Sequence, residues 1–337
     1  MKNPHVPSEN ANNTLHNIRT LIADDLSAFN NAIHTELASS VPLTREITQH
    51  IFQTKGKQLR PLLVILSARA FLPSNPLQKR HLEIAIVIEF VHTATLLHDD
   101  VVDHSLLRRG QQTANAIWGN AASVLVGDFL YSRAFQILAR NHNPQIMHIL
   151  SETTNAIAEG EVMQLMNQHD ADLSEENYFH VITQKTAKLF SAAAEIGALL
   201  HPGEKRGQNA MAAYGLHLGI TFQIIDDLLD YETSAEVTGK NIGDDLAEGK
   251  VTYPLIFAMK HTTPEKAALI QNAIRHGDVS ALPDVVSILE ETKAFTATRN
   301  KALEHAAYAK QALTVIPASP YRQAMEELVG FAVQRVY

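Results

Sequence analysis

The sequence predicts an all-α protein, a single large helical bundle with a central cavity. Three observations carry that expectation. Apolar residues recur at spacings of three and four along most of the chain. No segment alternates apolar and polar residues as a half-buried strand would. Long apolar runs such as LEIAIVIEFVHTATLL, residues 82–97, contain neither Gly nor Pro.

The bulk properties set bounds. The chain has 337 residues, 45% of them hydrophobic, which is ample for a large core. No linker rich in Pro, Gly or Ser divides it, so residues 14–337 are expected to form one domain. Residues 1–13, polar and Asn-rich, read as a disordered tail and not as a signal peptide. A net charge of −8 argues against a nucleic-acid partner. The absence of cysteine excludes disulfides and thiolate metal sites, and fits a reducing, cytoplasmic compartment. No stretch of about 20 uncharged apolar residues exists to span a membrane. Glu83, Glu89 and His92 interrupt even the 82–97 run.

The elements follow in order. Residues 15–52 suggest two helices broken near Ser39–Pro42. Gly56 marks a turn and Pro61 suits the first turn of the next helix, so Lys57 and Arg60 lie where that helix begins. Two cations there can hold an anion together with free backbone N–H groups. By themselves they would be ordinary surface charges. The loop PSNP, residues 73–76, precedes the helix of residues 82–97. Helices separated near Gly119 come next, and then a helix over residues 144–169 carrying Glu159, Glu161 and Gln164. Ser174 is a candidate N-cap. The helix after it sets Lys185 and Lys188 among apolar neighbours, where a lysine either snorkels or serves an anion in a cavity. A polar loop with Lys240, Asp244, Asp245 and Lys250 is a candidate lid, and Tyr253-Pro254 opens another helix. From Pro264 to Tyr337 the chain reads as helices with little chemistry.

Two acidic clusters organise the chain. The first is HDDVVDHSLLRRG, residues 98–110, with Asp99, Asp100 and Asp103 followed by Arg108 and Arg109. Residues four apart share a helix face, so Asp99 and Asp103 should project together, about 5.4 Å apart along the axis. Oxygen ligands at that spacing suit Mg²⁺, which takes one or two carboxylates plus phosphate oxygens. The paired arginines add fixed positive charge for phosphate. His92, two turns before Asp99, shares that face. The second cluster is DDLLD: Asp226, Asp227 and Asp230, again on an apolar helix. One DDxxD alone would be a solvated helix face. Two copies on greasy helices point at each other across a cavity with metal and phosphate, because buried aspartates are costly unless paired or metal-bound.

GKQLRP, EFVHTATLLHDDVVDHSLLRRG, VGDFLYSRAFQ, EGEVMQL, QKTAKLF, TFQIIDDLLDY and GKNIGDDLAEGKVTYP together resemble the trans-polyprenyl diphosphate synthases, in that family's order, over roughly residues 15–337. The likeness is to the bacterial long-chain branch, whose octaprenyl products become quinone (ubiquinone) side chains. The resemblance implies a Mg²⁺-dependent prenyltransferase that adds isopentenyl diphosphate units to an allylic diphosphate such as farnesyl diphosphate. Three Mg²⁺ are implied: two on Asp99 and Asp103, with Asp100 supporting, and one on Asp226, with Asp227 and Asp230 nearby. Arg108, Lys185, Thr186, Gln223 and Lys240 would contact the allylic diphosphate, with Lys185 also catalytic. Lys57, Arg60, His92 and Arg109 would bind isopentenyl diphosphate. His104 stands where the pattern leads one to expect an acid and has no assigned role. The resemblance also implies a homodimer with at most peripheral membrane contact.

The tail of an allylic substrate tethered at Asp99 must run back along the same helix. Thr95 and Ala94, four and five residues before Asp99, are small. In the family, bulky aromatics here accompany short products, so small residues imply a long one, with the tunnel floor expected near Phe135–Leu138. A terpene cyclase would share the ions but need no second diphosphate site, which Lys57, Arg60, His92 and Arg109 supply. A non-catalytic subunit would have lost aspartates, and a helical metal buffer would not need cations beside its carboxylates.

Overall fold

A computed structural model of the chain describes residues 9–335 except 54–55, 72–78, 202–204 and 233–242. The amino-terminal region forms three helices rather than two: α1 (Glu9–Leu21), α2 (Ala23–Glu36) and α3 (Pro42–Gln53). The extra break falls at Ile22, whose φ of −120° and ψ of 30° are not helical. Helix α1 begins inside the expected tail, so residues 9–13 are helical. Residues 1–8 and the PSNP loop lie outside the described residues.

Helices α4 (Leu59–Phe71) and α5 (Arg80–Val102) form the hydrophobic centre. Leu62, Leu63, Val64, Ile65 and Leu66 on α4 are fully buried, as are Ile84, Val87, Ile88 and Phe90 on α5. A helix apolar all round belongs inside a bundle. Then come α6 (Ala114–Trp118), α7 (Asn120–Asn141) and α8 (Pro144–Met166). Asn143 caps α8, its side chain accepting from the Gln145 and Ile146 N–H groups. The expected Ser174 cap is present on α9 (Glu175–Ile182), the hydroxyl accepting from Asn177 N.

Helix α9 does not run smoothly into α10 (Lys188–Leu199). Thr183–Ala187 form a single π-helical turn between them. Such turns insert one residue into a helix and are frequent at functional sites. Gly160 on α8 makes room for it, since a Cβ there would lie 2.7 Å from the Lys185 backbone nitrogen. Helix α11 (Lys205–Glu232) spans two hydrophobic cores. Its first half packs with α1–α8, α10 and the last helix, and its second half with α9 and the carboxyl-terminal helices. The chain ends with α12 (Asp244–Ala247), α13 (Tyr253–Lys260), α14 (Pro264–His276), α15 (Leu282–Glu291), α16 (Ala294–Ala312) and α17 (Pro320–Gln334).

One hairpin was not expected. β1 (Leu107–Arg108) pairs antiparallel with β2 (Gln111–Gln112), Arg108 opposite Gln111. Its two turn residues, Arg109 and Gly110, both have positive φ, 53° and 74°. A two-residue hairpin turn needs that conformation, and an arginine adopts it only under constraint. Two-residue strands are too short for alternation to reveal.

Candidate active site

The carboxyl end of α5 presents the first cluster. The helix stops at Val102, and Asp103 is its cap rather than part of it. The Asp103 N–H still bonds to Asp99 O at 2.8 Å, so the two carboxylates stay one turn apart. Asp100 points the other way and is buried. Its Oδ1 accepts from Arg108 Nε at 2.8 Å and pairs with Arg108 Nη2 at 2.7 Å. Burial raises the Asp100 pKa while Arg108 pulls it down. Asp100 thus anchors the hairpin to the helix.

Cations meet the outward aspartates. Lys185, on the π turn, lies 3.9 Å from Asp99 and 2.6 Å from Glu161 of α8. Burial lifts Glu161 to about 7. Lys250, just after α12, pairs with Asp103 at 3.3 Å and with Glu248. Burial opposes its charge, but Asp245, Asp103 and Glu248 win and its pKa is raised.

The second cluster lies on α11. Asp226 is half-exposed and pairs with Arg335 at 2.7 Å. Arg335 is itself buried, stacks 3.6 Å over the Phe222 ring, and donates to Phe222 O at 2.6 Å. Asp227 is sealed in the interior. It accepts from the Tyr178 hydroxyl at 2.5 Å and from Gln223 Nε2 at 2.8 Å, and burial pushes it up to about 8. The Gln223 amide oxygen in turn accepts from the Thr186 hydroxyl at 2.9 Å, tying the π turn to α11. Asp230 is turned toward the first turn of α12, accepting from Asp245 N at 3.1 Å. Only Asp226 of this cluster therefore faces open space.

A second cation set gathers where α4 begins. Arg60 Nη1 approaches His92 Nε2 at 3.0 Å, and its guanidinium lies 4.4 Å over the Phe190 ring. Burial and the charges of Arg60, Arg109 and Arg108 hold the His92 pKa well below its ordinary value. A neutral imidazole is then the acceptor for Arg60. Arg109 reaches this group because Gly56 has no side chain, since a Cβ there would overlap its guanidinium. Burial lowers Lys57 to about 8, aided by Arg335 and Arg109 and opposed by Asp226.

The carboxylates of Asp99 and Asp103 face the site with His98 beside them, yet no three His, Asp or Glu among the described residues enclose an ion. That fits a cation taking only one or two carboxylates from the protein and the rest from phosphate. Asp99, Asp103 and Asp226 each hold a lysine or arginine on the face an ion would use.

From Asp99 and Asp103 a cavity of about 880 Å³ runs between α5, α7 and α8. Thr95, Tyr131, Phe135, Ile157 and Leu165 are among its walls. Ala94 is fully buried directly behind Thr95.

All the sequence candidates except Lys240, which lies outside the described residues, sit in these groups. Glu161 and Lys250 stood out as charged residues without a role. Arg335 was missed, and the expectation that the last stretch holds little chemistry fails there. A lone arginine near a chain end carries no pattern to find. Tyr178 was missed too, being one aromatic among many.

The chain matches the polyprenyl synthetase family over residues 41–291. It is 47% identical over 322 residues to the octaprenyl diphosphate synthase of Escherichia coli (strain K12), covering 95% of this chain and 99% of that one. It is 42% identical over 315 residues to the all-trans-nonaprenyl-diphosphate synthase (geranyl-diphosphate specific) of Rhodobacter capsulatus, covering 94% and 96%. Among solved structures, the polyprenyl synthase of Caulobacter crescentus CB15, complexed with calcium and isoprenyl diphosphate, superposes with a TM-score of 0.90 at 40% identity, covering 98% and 99%.

Proposed function

The chain belongs to the polyprenyl synthetase family, and on that premise we propose that it extends farnesyl diphosphate with isopentenyl diphosphate to all-trans octaprenyl diphosphate, with three Mg²⁺. The chain is a prenyltransferase, and the family condenses isopentenyl diphosphate onto allylic diphosphates. One observation carries the specific reading. Two separate cation groups, Lys57, Arg60 and Arg109 around the neutral His92, and Arg108 and Lys185, flank the carboxylates above a cavity that stays open past Thr95.

In this reading Lys185, Arg108, Thr186, Gln223 and Lys240 hold the allylic diphosphate. Lys57, Arg60, His92 and Arg109 hold that of isopentenyl diphosphate. Asp99, Asp103 and Asp226 would hold Mg²⁺, which would neutralise the charge that opposes loss of diphosphate. Lys185 and Arg108 stabilise the same developing charge from fixed positions. Asp100 fixes Arg108, and Asp227 fixes Gln223 and through it Thr186. The apolar walls exclude water from the allylic cation. The double bond of isopentenyl diphosphate attacks that cation, and departing diphosphate takes the proton, so no protein base is needed. Thr95 and Ala94 set how far the chain can grow.

A homodimer is part of the proposal. Val162, Leu165 and Met166 share one face of α8, and they and Leu125 on α7 are more than half exposed. A second copy would cover such a face. A cytoplasmic location and supply of a quinone side chain complete the reading. No helix among the described residues is long and apolar enough to cross a membrane.

The test is incubation with Mg²⁺, farnesyl diphosphate and isopentenyl diphosphate, followed by chromatographic sizing of the dephosphorylated products. Octaprenol is expected, and products that stop at the short-chain range would overturn the assignment.

A further inference from the structure

Glu89 is a carboxyl group built into a pocket for anions. It lies three residues before His92 on α5 and so shares its face. Arg60 and Arg109 both act on it electrostatically, and it on them. Its Oε2 is sealed from solvent and has no hydrogen-bond partner. Burial lifts its pKa to about 7 in spite of the two arginines. A buried carboxylate with an unsatisfied oxygen costs stability. Its charge also offsets that of the same guanidinium groups a diphosphate would meet, without an ion pair to either. The proposed chemistry assigns Glu89 no part, so both costs need a reason.

The reaction supplies one. In head-to-tail condensation the allylic diphosphate departs, and the lengthened product keeps the diphosphate that isopentenyl diphosphate brought. After each cycle that group sits among Lys57, Arg60, His92 and Arg109. It must move to Lys185 and Arg108 before the next unit can bind. Three cations and no anion would hold it in place.

We propose that Glu89 weakens the isopentenyl diphosphate pocket so that the diphosphate of each lengthened chain leaves it for the allylic site. Glu89 is thus a positioning residue for translocation, acting through Arg60 and Arg109. The inference rests on the function proposed above.

The isosteric Glu89→Gln variant removes the charge and keeps the shape. Its KM for isopentenyl diphosphate should fall roughly tenfold, the order expected for one charge at close range in a partly buried site. A single condensation should proceed at near the parent rate, while later ones slow. Products one or two units longer than the primer should accumulate. Glu89→Asp withdraws the charge by one methylene and should shift both readouts the same way by less, which keeps the test alive if the glutamine variant does not fold. A purely structural carboxylate, one that only steadies the arginines, predicts a higher KM. A KM that rises or stays constant, or a parent-like product ladder, overturns the inference. A parent enzyme that does not extend farnesyl diphosphate overturns the proposed function instead.

Discussion

Arg335 meets Asp226 at 2.7 Å, so the last described residue of the chain rests on the one aspartate of the second cluster that faces open space. The pair is asymmetric, with the arginine enclosed and stacked on Phe222 and the aspartate half-exposed. Arg335→Met keeps an apolar stem over Phe222 and removes the charge. It should lower stability by about 1–3 kcal/mol, less than for a fully buried pair because solvent reaches Asp226. It should also reduce the Mg²⁺ needed for half-maximal rate, since a competing cation is gone. Urea unfolding and a Mg²⁺ titration of activity measure the two effects. Unchanged stability would mean that the pair does not hold the chain end.

Asp99→Ala and Asp226→Ala should each slow turnover at least about a hundredfold, near 3 kcal/mol of barrier. Both should keep parent-like circular dichroism, because Lys185 retains Glu161 and Arg335 retains its bond to Phe222 O. A folded variant with near-normal turnover would remove that aspartate from the metal set.

The two cation groups should separate kinetically. Lys57→Ala should raise the KM for isopentenyl diphosphate well above any change for the primer. Lys185→Ala should weigh on the primer and on kcat, since it sits beside Asp99 and not in the Arg60 group. Initial rates with each substrate varied in turn distinguish them. Equal effects on both substrates would merge the two sites into one.

The pH dependence follows from Lys57. Its pKa is lowered to about 8, so it loses its charge as pH rises through that value. Neutral lysine holds diphosphate poorly, so the KM for isopentenyl diphosphate should climb above about pH 8. Lys57→Arg stays charged and should flatten that rise. A parent KM that is constant from pH 7 to pH 9, about a unit either side, would show Lys57 charged throughout.

Product length should respond at two adjacent residues in different ways. Thr95→Phe places a ring in the cavity and should shorten the products with little loss of stability. Ala94 is fully buried and is not itself a wall of the cavity, so Ala94→Tyr must displace its neighbours, at about 1–3 kcal/mol of overpacking, before it can shorten the products. Product sizing and thermal melts on both variants decide. Parent-length products from both would move the length control deeper, toward Phe135.

Much of this was legible in the residues. The bundle follows from apolar spacing, and α5 from an unbroken apolar run that is buried on most of its sides. Asp99, Asp103 and Arg108 announce themselves by spacing, and Lys185 takes its role from the resemblance. The partners do not, because they meet them from far along the chain. Arg335 reaches Asp226 across more than a hundred residues, and Lys250 reaches Asp103 across 147. Nor does spacing say which aspartates look outward. Asp226, Asp227 and Asp230 read alike, yet Tyr178 seals one and the first turn of α12 takes another.

The π turn at Thr183–Ala187 also makes the chain's length a design variable there. One residue more than an α-helix needs sits between α9 and α10. Deleting any one residue of that turn would let the two helices fuse into a regular one. The flanking helices would stay roughly in phase, since a π turn is where a helix absorbs one extra residue, but the side chains of the turn itself would be re-aimed. Lys185 and Thr186 would leave Asp99 and Gln223 together, while each helix kept its own composition and caps. Insertions and deletions in these five positions should therefore abolish activity at places where most single substitutions are absorbed.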